Sequence, residues 1–219
     1  MNRSAGLKDR GNVRPYQEDD FRVSDLHGAY AVADGMGGHR DGEVASRLGV
    51  EAAIAHLIAS NGRPGADAKR AVLDAHAAVV ARSDHGEDAM GSTLVVYARR
   101  GDRGAVAWVG DSRAYVFKPQ GQSMRLERVT KDHGIGHFVE RALGHDGGDR
   151  PEVFEFEAPQ GTVVLLCTDG LTKVVKDRDI VGIMNSTPDL KRAAQALIDA
   201  AKAAGGPDNI TIVLTRAER

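Results

Sequence analysis

The chain has a single cysteine, Cys167. One thiol excludes an internal disulfide framework and fits a reducing compartment. No apolar run reaches the roughly 20 residues a helix needs to cross a bilayer. Residues 1–14 are polar and basic with no apolar stretch, so nothing there reads as a signal peptide. A complete cytoplasmic chain is therefore expected. Neither sign of charge dominates: 29 Lys and Arg stand against 31 Asp and Glu, a net charge of −2. That balance argues against a surface dedicated to nucleic acid or anionic membrane. There is no internal repeat and no low-complexity tract. What remains is 219 residues, 42% hydrophobic and 27% charged. This suits one soluble globular domain over residues 1–219.

The periodicity predicts a mixture of elements. Residues 20–25 and 29–33 read as a hairpin through His27-Gly28. The glycine-rich turn Gly35-Met36-Gly37-Gly38 follows, and Asp41 or Gly42 caps a helix over 43–60. A second helix is expected over 66–82, then a polar loop over 83–90. Strands are expected over 92–98, 105–109, 114–117, 124–129, 153–157 and 163–167, with a last one over 210–214. Residues 131–150 read as loop with a short helical piece near 138–143. A helix over 189–204 is stopped by Gly205-Gly206-Pro207. About ten strands with helices gathered in pairs predict an α+β fold of sheets covered by helices, not a parallel βαβ array.

Asp34, Asp111, Asp169 and Asp208 each abut one of the apolar strand candidates. A lone Asp-Gly pair is usually only a turn. Four acids in the same context ask for another explanation, because strand ends are where a sheet protein gathers side chains from distant parts of the chain. Two carboxylates ~4 Å apart repel by roughly 4 kcal/mol at an effective dielectric of about 20. Such a cluster calls for cations, and oxygen donors favour hard ions. Glu18 or Asp19, just before the first hairpin, could complete it, and Arg14 could fork onto a phosphate.

Six short motifs occur in one order: Gly11-x-Val13-Arg14-x-x-x-Glu18-Asp19, Val32-Ala33-Asp34-Gly35-Met36-Gly37-Gly38-His39, Gly91-Ser92-Thr93, Val109-Gly110-Asp111-Ser112-Arg113, Cys167-Thr168-Asp169-Gly170-Leu171 and Gly206-Pro207-Asp208-Asn209-Ile210-Thr211. Together they closely resemble the metal-dependent serine/threonine protein phosphatases of the type 2C, or PPM, family in bacterial form. The resemblance spans residues 11–214. It implies a central antiparallel β-sandwich flanked by helix pairs in four layers. It also implies two core Mn²⁺ or Mg²⁺ ions and a weaker third. Asp34 would bridge the two core ions. Asp169 and Asp208 would complete the first site, and Glu18 with the Gly35 carbonyl would serve the second. Asp111 would join Asp169 at the third, and Arg14 would hold the substrate phosphate. A water between two divalent ions has a lowered pKa, so direct attack on phosphorus is implied, with no covalent phosphoenzyme. Asp34, Arg14 and Asp169 are thus the implied catalytic set. The implied partners are phosphorylated proteins, a Ser/Thr kinase and its substrates among them, and a monomer is expected.

Rival chemistries fit less well. A cysteine phosphatase needs an arginine closing its phosphate loop, but Lys173 stands six residues after Cys167. A dinucleotide fingerprint fails at Arg40, which occupies the third glycine position. A relative without turnover would be expected to lack metal ligands, and none is missing. His133 and His137 have helical zinc-pair spacing, but Gly134 and Gly136 make that helix poor. His39 is a candidate proton donor; animal relatives carry a histidine directly after the Asp-Gly pair, where Met36 stands here, so the general acid is left unassigned.

Two departures from the family are visible. The segment from His133 to Arg141-Ala142-Leu143-Gly144 is short where bacterial relatives carry a longer flap, which predicts a more open site. The segment before Gly11 is also short, which predicts an edge strand shortened or missing.

Overall fold

The computed structural model describes residues 2–36, 40–83, 90–121, 123–135 and 138–218. In chain order the elements are β1 (Asn2–Asp9), β2 (Asp19–Ser24), β3 (Ala29–Met36), α1 (Arg40–Ala59), α2 (Pro64–Arg82), β4 (Gly91–Ser92), β5 (Leu94–Arg100) and β6 (Arg103–Val109). There follow β7 (Arg113–Gln120), β8 (Ser123–Arg128), β9 (Gly134–Ile135), β10 (Phe138–Val139), β11 (Glu152–Glu157) and β12 (Val163–Cys167). The chain closes with α3 (Asp169–Thr172), α4 (Asp177–Ser186), α5 (Leu190–Ala203) and β13 (Ile210–Ala217).

Two antiparallel sheets form the centre. One runs β11-β6-β5-β3-β2, with β4 paired to β3; the other runs β1-β13-β12-β7-β8. The side-chain alternation of each strand explains the layers. On β3, Tyr30 and Val32 point into the space between the sheets, where they meet Tyr97, Trp108, Val116, Leu166 and Val213. The alternate residues Ala29, Ala31 and Ala33 face the other way, onto α1 and α2. Those helices also present alanines, Ala45, Ala53, Ala68, Ala71 and Ala75. Small residues on both partners let the helix pair lie close to its sheet. On the opposite outer face Leu165, Cys167, Ile212 and Leu214 pack with Ile180, Leu197 and Ile198 of α4 and α5. The molecule is thus four layers, α-β-β-α, as the resemblance implies. Each large apolar side chain withdrawn from water contributes roughly 1.5–3 kcal/mol.

The expected helices are displaced only at their ends. α2 begins two residues early because Pro64 suits the first helical turn, where its missing N–H is no loss. α1 begins at Arg40, so neither Asp41 nor Gly42 is its cap. Asp41 sits instead in the first turn, where the helix dipole favours an acid. The Asp189 carboxylate accepts the Arg192 N–H at 2.9 Å and caps α5.

Three expectations are corrected. The edge strand is not missing: β1 pairs with β13 over all eight of its residues, from Asn2↔Ala217 to Asp9↔Ile210. The helical piece near 138–143 does not form. Phe138–Val139 pairs with β9, and Leu143 exchanges backbone hydrogen bonds with Ser92, at 2.8 and 3.2 Å. Six residues cannot repay helix nucleation when a sheet edge offers partners. Finally, α3 and α4 occupy a stretch the sequence reading leaves without an element. In α4 only Ile180 and Met184 are buried, one turn apart on one face.

Candidate metal centre

The cleft at one end of the sandwich has a volume of ≈ 270 Å³ and draws its walls from both sheets. Glu18, Asp34, Asp111, Asp169 and Asp208 all line it, with Arg14 and Lys173. Asp34 comes from β3. Asp111 lies on the crossover from β6 to β7, Asp169 directly follows Thr168 after β12, and Asp208 precedes β13. The fold therefore brings Glu18, Asp34, Asp111, Asp169 and Asp208 to one cleft, though not Asp19.

Local geometry differs from simple strand ends. Asp34 lies within β3, directly opposite Asp19 on β2. Its backbone N–H donates to Thr93 Oγ1 at 3.0 Å, and that hydroxyl shares a hydrogen bond of 2.7 Å with Ser112 Oγ. Ser92 Oγ and the Thr93 N–H both donate to the Asp34 carbonyl. Asp34 is thus clamped by residues next to two other strands. Asp169 opens the four-residue α3. The Thr168 hydroxyl before it does not cap that helix; it donates to Asp19 Oδ2 at 2.9 Å and accepts the Thr211 N–H at 2.9 Å. Glu18 and Asp19, which the residues alone left as alternatives, are separated: Glu18 lines the cleft, while Asp19 turns inward to Thr168.

Two glycines are required by close approach. A Cβ on Gly35 would come within 2.1 Å of the Gly42 carbonyl and 2.7 Å of the Glu18 carbonyl. A Cβ on Gly110 would meet Thr93 Cβ at 2.6 Å, and Gly110 has φ +100°, a conformation that side chains disfavour.

The acids are electrostatically frustrated. Burial, then the charges of Asp19, Asp169, Asp208 and Asp111, push the Asp34 carboxyl far above its ordinary range. Burial and then Asp169 raise Asp111 to about 6. Burial pushes Asp19 to about 7, helped by Asp169 and Asp208. Cationic side chains relieve part of this. Arg14 forks onto Asp208, with Nε 2.9 Å from Oδ1 and Nη2 3.0 Å from Oδ2. The Lys173 ammonium contacts Asp169 Oδ2 and lies 3.9 Å from Asp208 Oδ2. Among the described residues no three His, Cys, Asp or Glu side chains converge as a ready-made ion cage. Arg14 and Lys173 instead draw Asp208 and Asp169 toward themselves. Asp169 Oδ1 is buried and accepts no hydrogen bond, the kind of lone pair a cation satisfies.

The residue that sequence reasoning passed over is Asn209. Its side-chain carbonyl accepts the Glu18 N–H at 2.8 Å, and its amide donates to the Arg10 and Tyr16 carbonyls at 3.0 and 2.9 Å. It was visible only as one letter of the Gly206–Thr211 motif. His133 Nδ1 faces the Gly110 N–H at 3.3 Å, and the His133 N–H donates to the Gly110 carbonyl at 3.0 Å. It is a wall of the Asp111 turn. His39 and His137, like Gly37, Gly38 and Gly136, lie outside the described residues.

A larger groove of ≈ 370 Å³ near Asp25, Ser60 and Arg100 has none of these features. There Arg100 spends its guanidinium on the His27, Leu57 and Ser60 carbonyls.

A helix-flanked antiparallel sandwich that gathers acids from both sheets into one cleft, with an arginine at the rim, defines a class built to hold cations on oxygen donors. The chain belongs to the protein phosphatase 2C family, whose model matches residues 14–208. It is 37% identical to the serine/threonine protein phosphatase PstP of Mycobacterium tuberculosis, over 97% of this chain and 44% of that protein, so it spans under half the length of that relative. It is 32% identical to the serine/threonine phosphatase stp of Listeria welshimeri, over 94% of this chain and 92% of that one. The crystal structure of the M. tuberculosis phosphatase PstP/Ppp superposes with a TM-score of 0.87 at 33% identity, covering 100% of this chain and 99% of that chain. The catalytic domain of PstP in complex with two manganese ions gives 0.85 at 34% identity, covering 98% and 97%. Among the described residues no helix is long and apolar enough to cross a membrane.

Proposed function

We propose that this chain hydrolyses phosphoserine and phosphothreonine in proteins, using Mn²⁺ or Mg²⁺. The observation that carries the reading is the convergence of Glu18, Asp34, Asp111, Asp169 and Asp208 on one cleft beside Arg14. The donors suit such ions. All are oxygens, Asp169 Oδ1 is buried without a hydrogen bond, and Asp34 is held among like charges. Asp34 would bridge two ions, Asp169 and Asp208 would complete the first site, and Glu18 with the Gly35 carbonyl would complete the second. Asp111 with Asp169 would offer a weaker third. Divalent ions bound there would lower the pKa of water and neutralise phosphoryl oxygens.

The protein's own groups do the rest. Thr93 and Ser92 fix the Asp34 backbone, and Ser112 holds Thr93 in turn. Arg14 has a planar guanidinium whose parallel N–H groups match two phosphate oxygens. In this structure that fork rests on Asp208, and the same N–H groups are the ones Arg14 would present to the substrate phosphate. Catalysis of phosphoryl transfer is mostly positioning and electrostatics, and the cleft supplies both.

The test is Mn²⁺-dependent hydrolysis of an aryl phosphate and of a phosphothreonine peptide. EDTA is expected to abolish both, as is Asp34→Asn. Turnover that survived EDTA would sink the reading. The partners it implies are phosphorylated proteins, a Ser/Thr kinase and its substrates, met by a cytoplasmic monomer of one domain over 1–219. The short segment 133–141, which closes on itself through the Glu140 N–H to the His133 carbonyl at 2.9 Å, leaves the cleft open and selectivity loose. If grafting a longer flap there leaves peptide preference and Mn²⁺ dependence unchanged, that part of the reading fails.

A further inference from the structure

Lys173 is the cation of the cleft to which the proposed function gives no task. It follows α3 and sits one turn after Asp169, with its own N–H donating to the Asp169 carbonyl at 2.8 Å. Its backbone is therefore fixed by the same short helix that presents Asp169. Its ammonium contacts Asp169 Oδ2 and stands 3.9 Å from Asp208 Oδ2. Those are the two acids that complete the first ion site in the proposed function, on which this inference rests. Lys173 also borders a smaller neighbouring cleft of ≈ 70 Å³, lined by Asp111, Asp132 and Thr172 among others. Asp132 there is already held by Arg113 in a fork of 3.0 and 2.8 Å and by Arg128. Asp111 is not paired in that way, so a swing toward it gives the ammonium a third acidic neighbour.

We propose that Lys173 is a tethered counter-cation of the Asp169–Asp208 pair, which a divalent ion must displace, so that this one side chain sets how tightly the first ion binds. With the first site empty, the ammonium holds two acids that would otherwise repel each other. With the ion bound, Lys173 leaves toward Asp111, where its charge opposes a third ion. Any third ion at Asp111 is accordingly the weakest of the set. A single lysine thereby trades stability of the metal-free protein against affinity for the ion, and sets a minimum divalent concentration for loading.

The experiment is a Mn²⁺ titration of EDTA-stripped protein, read by the loss of the free-ion EPR signal and by calorimetry. Wild type is compared with Lys173→Met, which keeps the stem and removes the charge. Lys173 is 30% exposed, so solvent screening limits the effect, and one Mn²⁺ site is expected to tighten by about tenfold. Thermal unfolding supplies a second reading. Without metal the variant is expected to melt below wild type, and at saturating Mn²⁺ the gap is expected to close. A salt bridge with only a structural role would leave that gap unchanged and would overturn the proposal. So would unaltered Mn²⁺ affinity with a raised KM for phosphopeptide, which would make Lys173 a substrate contact. Should the Met variant misfold, Lys173→Gln is read in the same way. If neither wild type nor variant binds Mn²⁺, the proposed function itself falls and takes this inference with it.

Discussion

The side-chain carbonyl of Asn209 accepts the backbone N–H of Glu18 across 191 residues of sequence, at 2.8 Å. The same amide group holds the carbonyls of Arg10 and Tyr16. Asn209 is buried, and one side chain thus pins the loop that carries both Arg14 and Glu18 to the start of β13. Asn209→Ala would remove all three of these hydrogen bonds. An unsatisfied buried group costs about 1–3 kcal/mol. The expected outcome is a fall in unfolding free energy of roughly 2 kcal/mol or more by urea denaturation. Weaker Mn²⁺ binding and a raised KM should accompany it, because Glu18 and Arg14 loosen together.

Arg14 forks onto Asp208 and is half-exposed, so its removal should change function more than stability. Arg14→Ala is expected to raise KM for a phosphopeptide by about tenfold or more, the equivalent of one charge-assisted contact. Arg14→Lys should recover only part of this, since an ammonium cannot reproduce the planar fork. Steady-state kinetics at saturating Mn²⁺ separates the two variants. Equal KM values for wild type and Arg14→Ala would remove Arg14 from the phosphate.

Cys167 lies fully buried in β12 between β7 and β13, and burial pushes its thiol up to about 12. A thiolate nucleophile is thereby excluded at neutral pH. In native protein at pH 8 the thiol should resist a disulfide reagent for hours, and it should react at once in denaturant. Cys167→Ser should keep full phosphatase activity, at a cost in stability measurable by thermal unfolding.

His133 gives a pH dependence whose sign is fixed. Burial first, then the nearby Arg141 charge, lowers its pKa below 6.5, so the folded state favours the neutral ring. Its stabilising contribution is therefore complete above pH 6.5 and is lost as pH falls toward the folded value. Urea midpoints at pH 7.5 and 5.5 should show the advantage of wild type over His133→Gln shrinking at the lower pH. A constant difference would mean that the ring is not held neutral.

Much of this architecture is legible in the sequence. Alternation of Tyr30 and Val32 with three alanines already states that β3 has two different buried faces. The acids that line the cleft stand beside apolar runs for all to see. What could not be read depends on tertiary partners. The eight pairs of β1 with β13 come from opposite ends of the chain, and 138–143 takes its conformation from β9 and Ser92. Asp19 and Glu18 are adjacent and chemically alike; the Thr168 hydroxyl, distant in sequence and just after β12, holds one inward while the other lines the cleft. The hold of Arg14 and Lys173 on two of the acids likewise has no local signature.

Asp34 rides on one sheet while Asp169 and Asp208 ride on the other. The distance between these acids is therefore a property of the sandwich filling, of Tyr30, Tyr97, Trp108, Val116, Leu166 and Val213. The cleft acts as a caliper whose jaws are two sheets and whose gap is set by side chains buried away from it. Trimming one of those side chains is then a way to retune the proposed ion site without touching any of its proposed ligands.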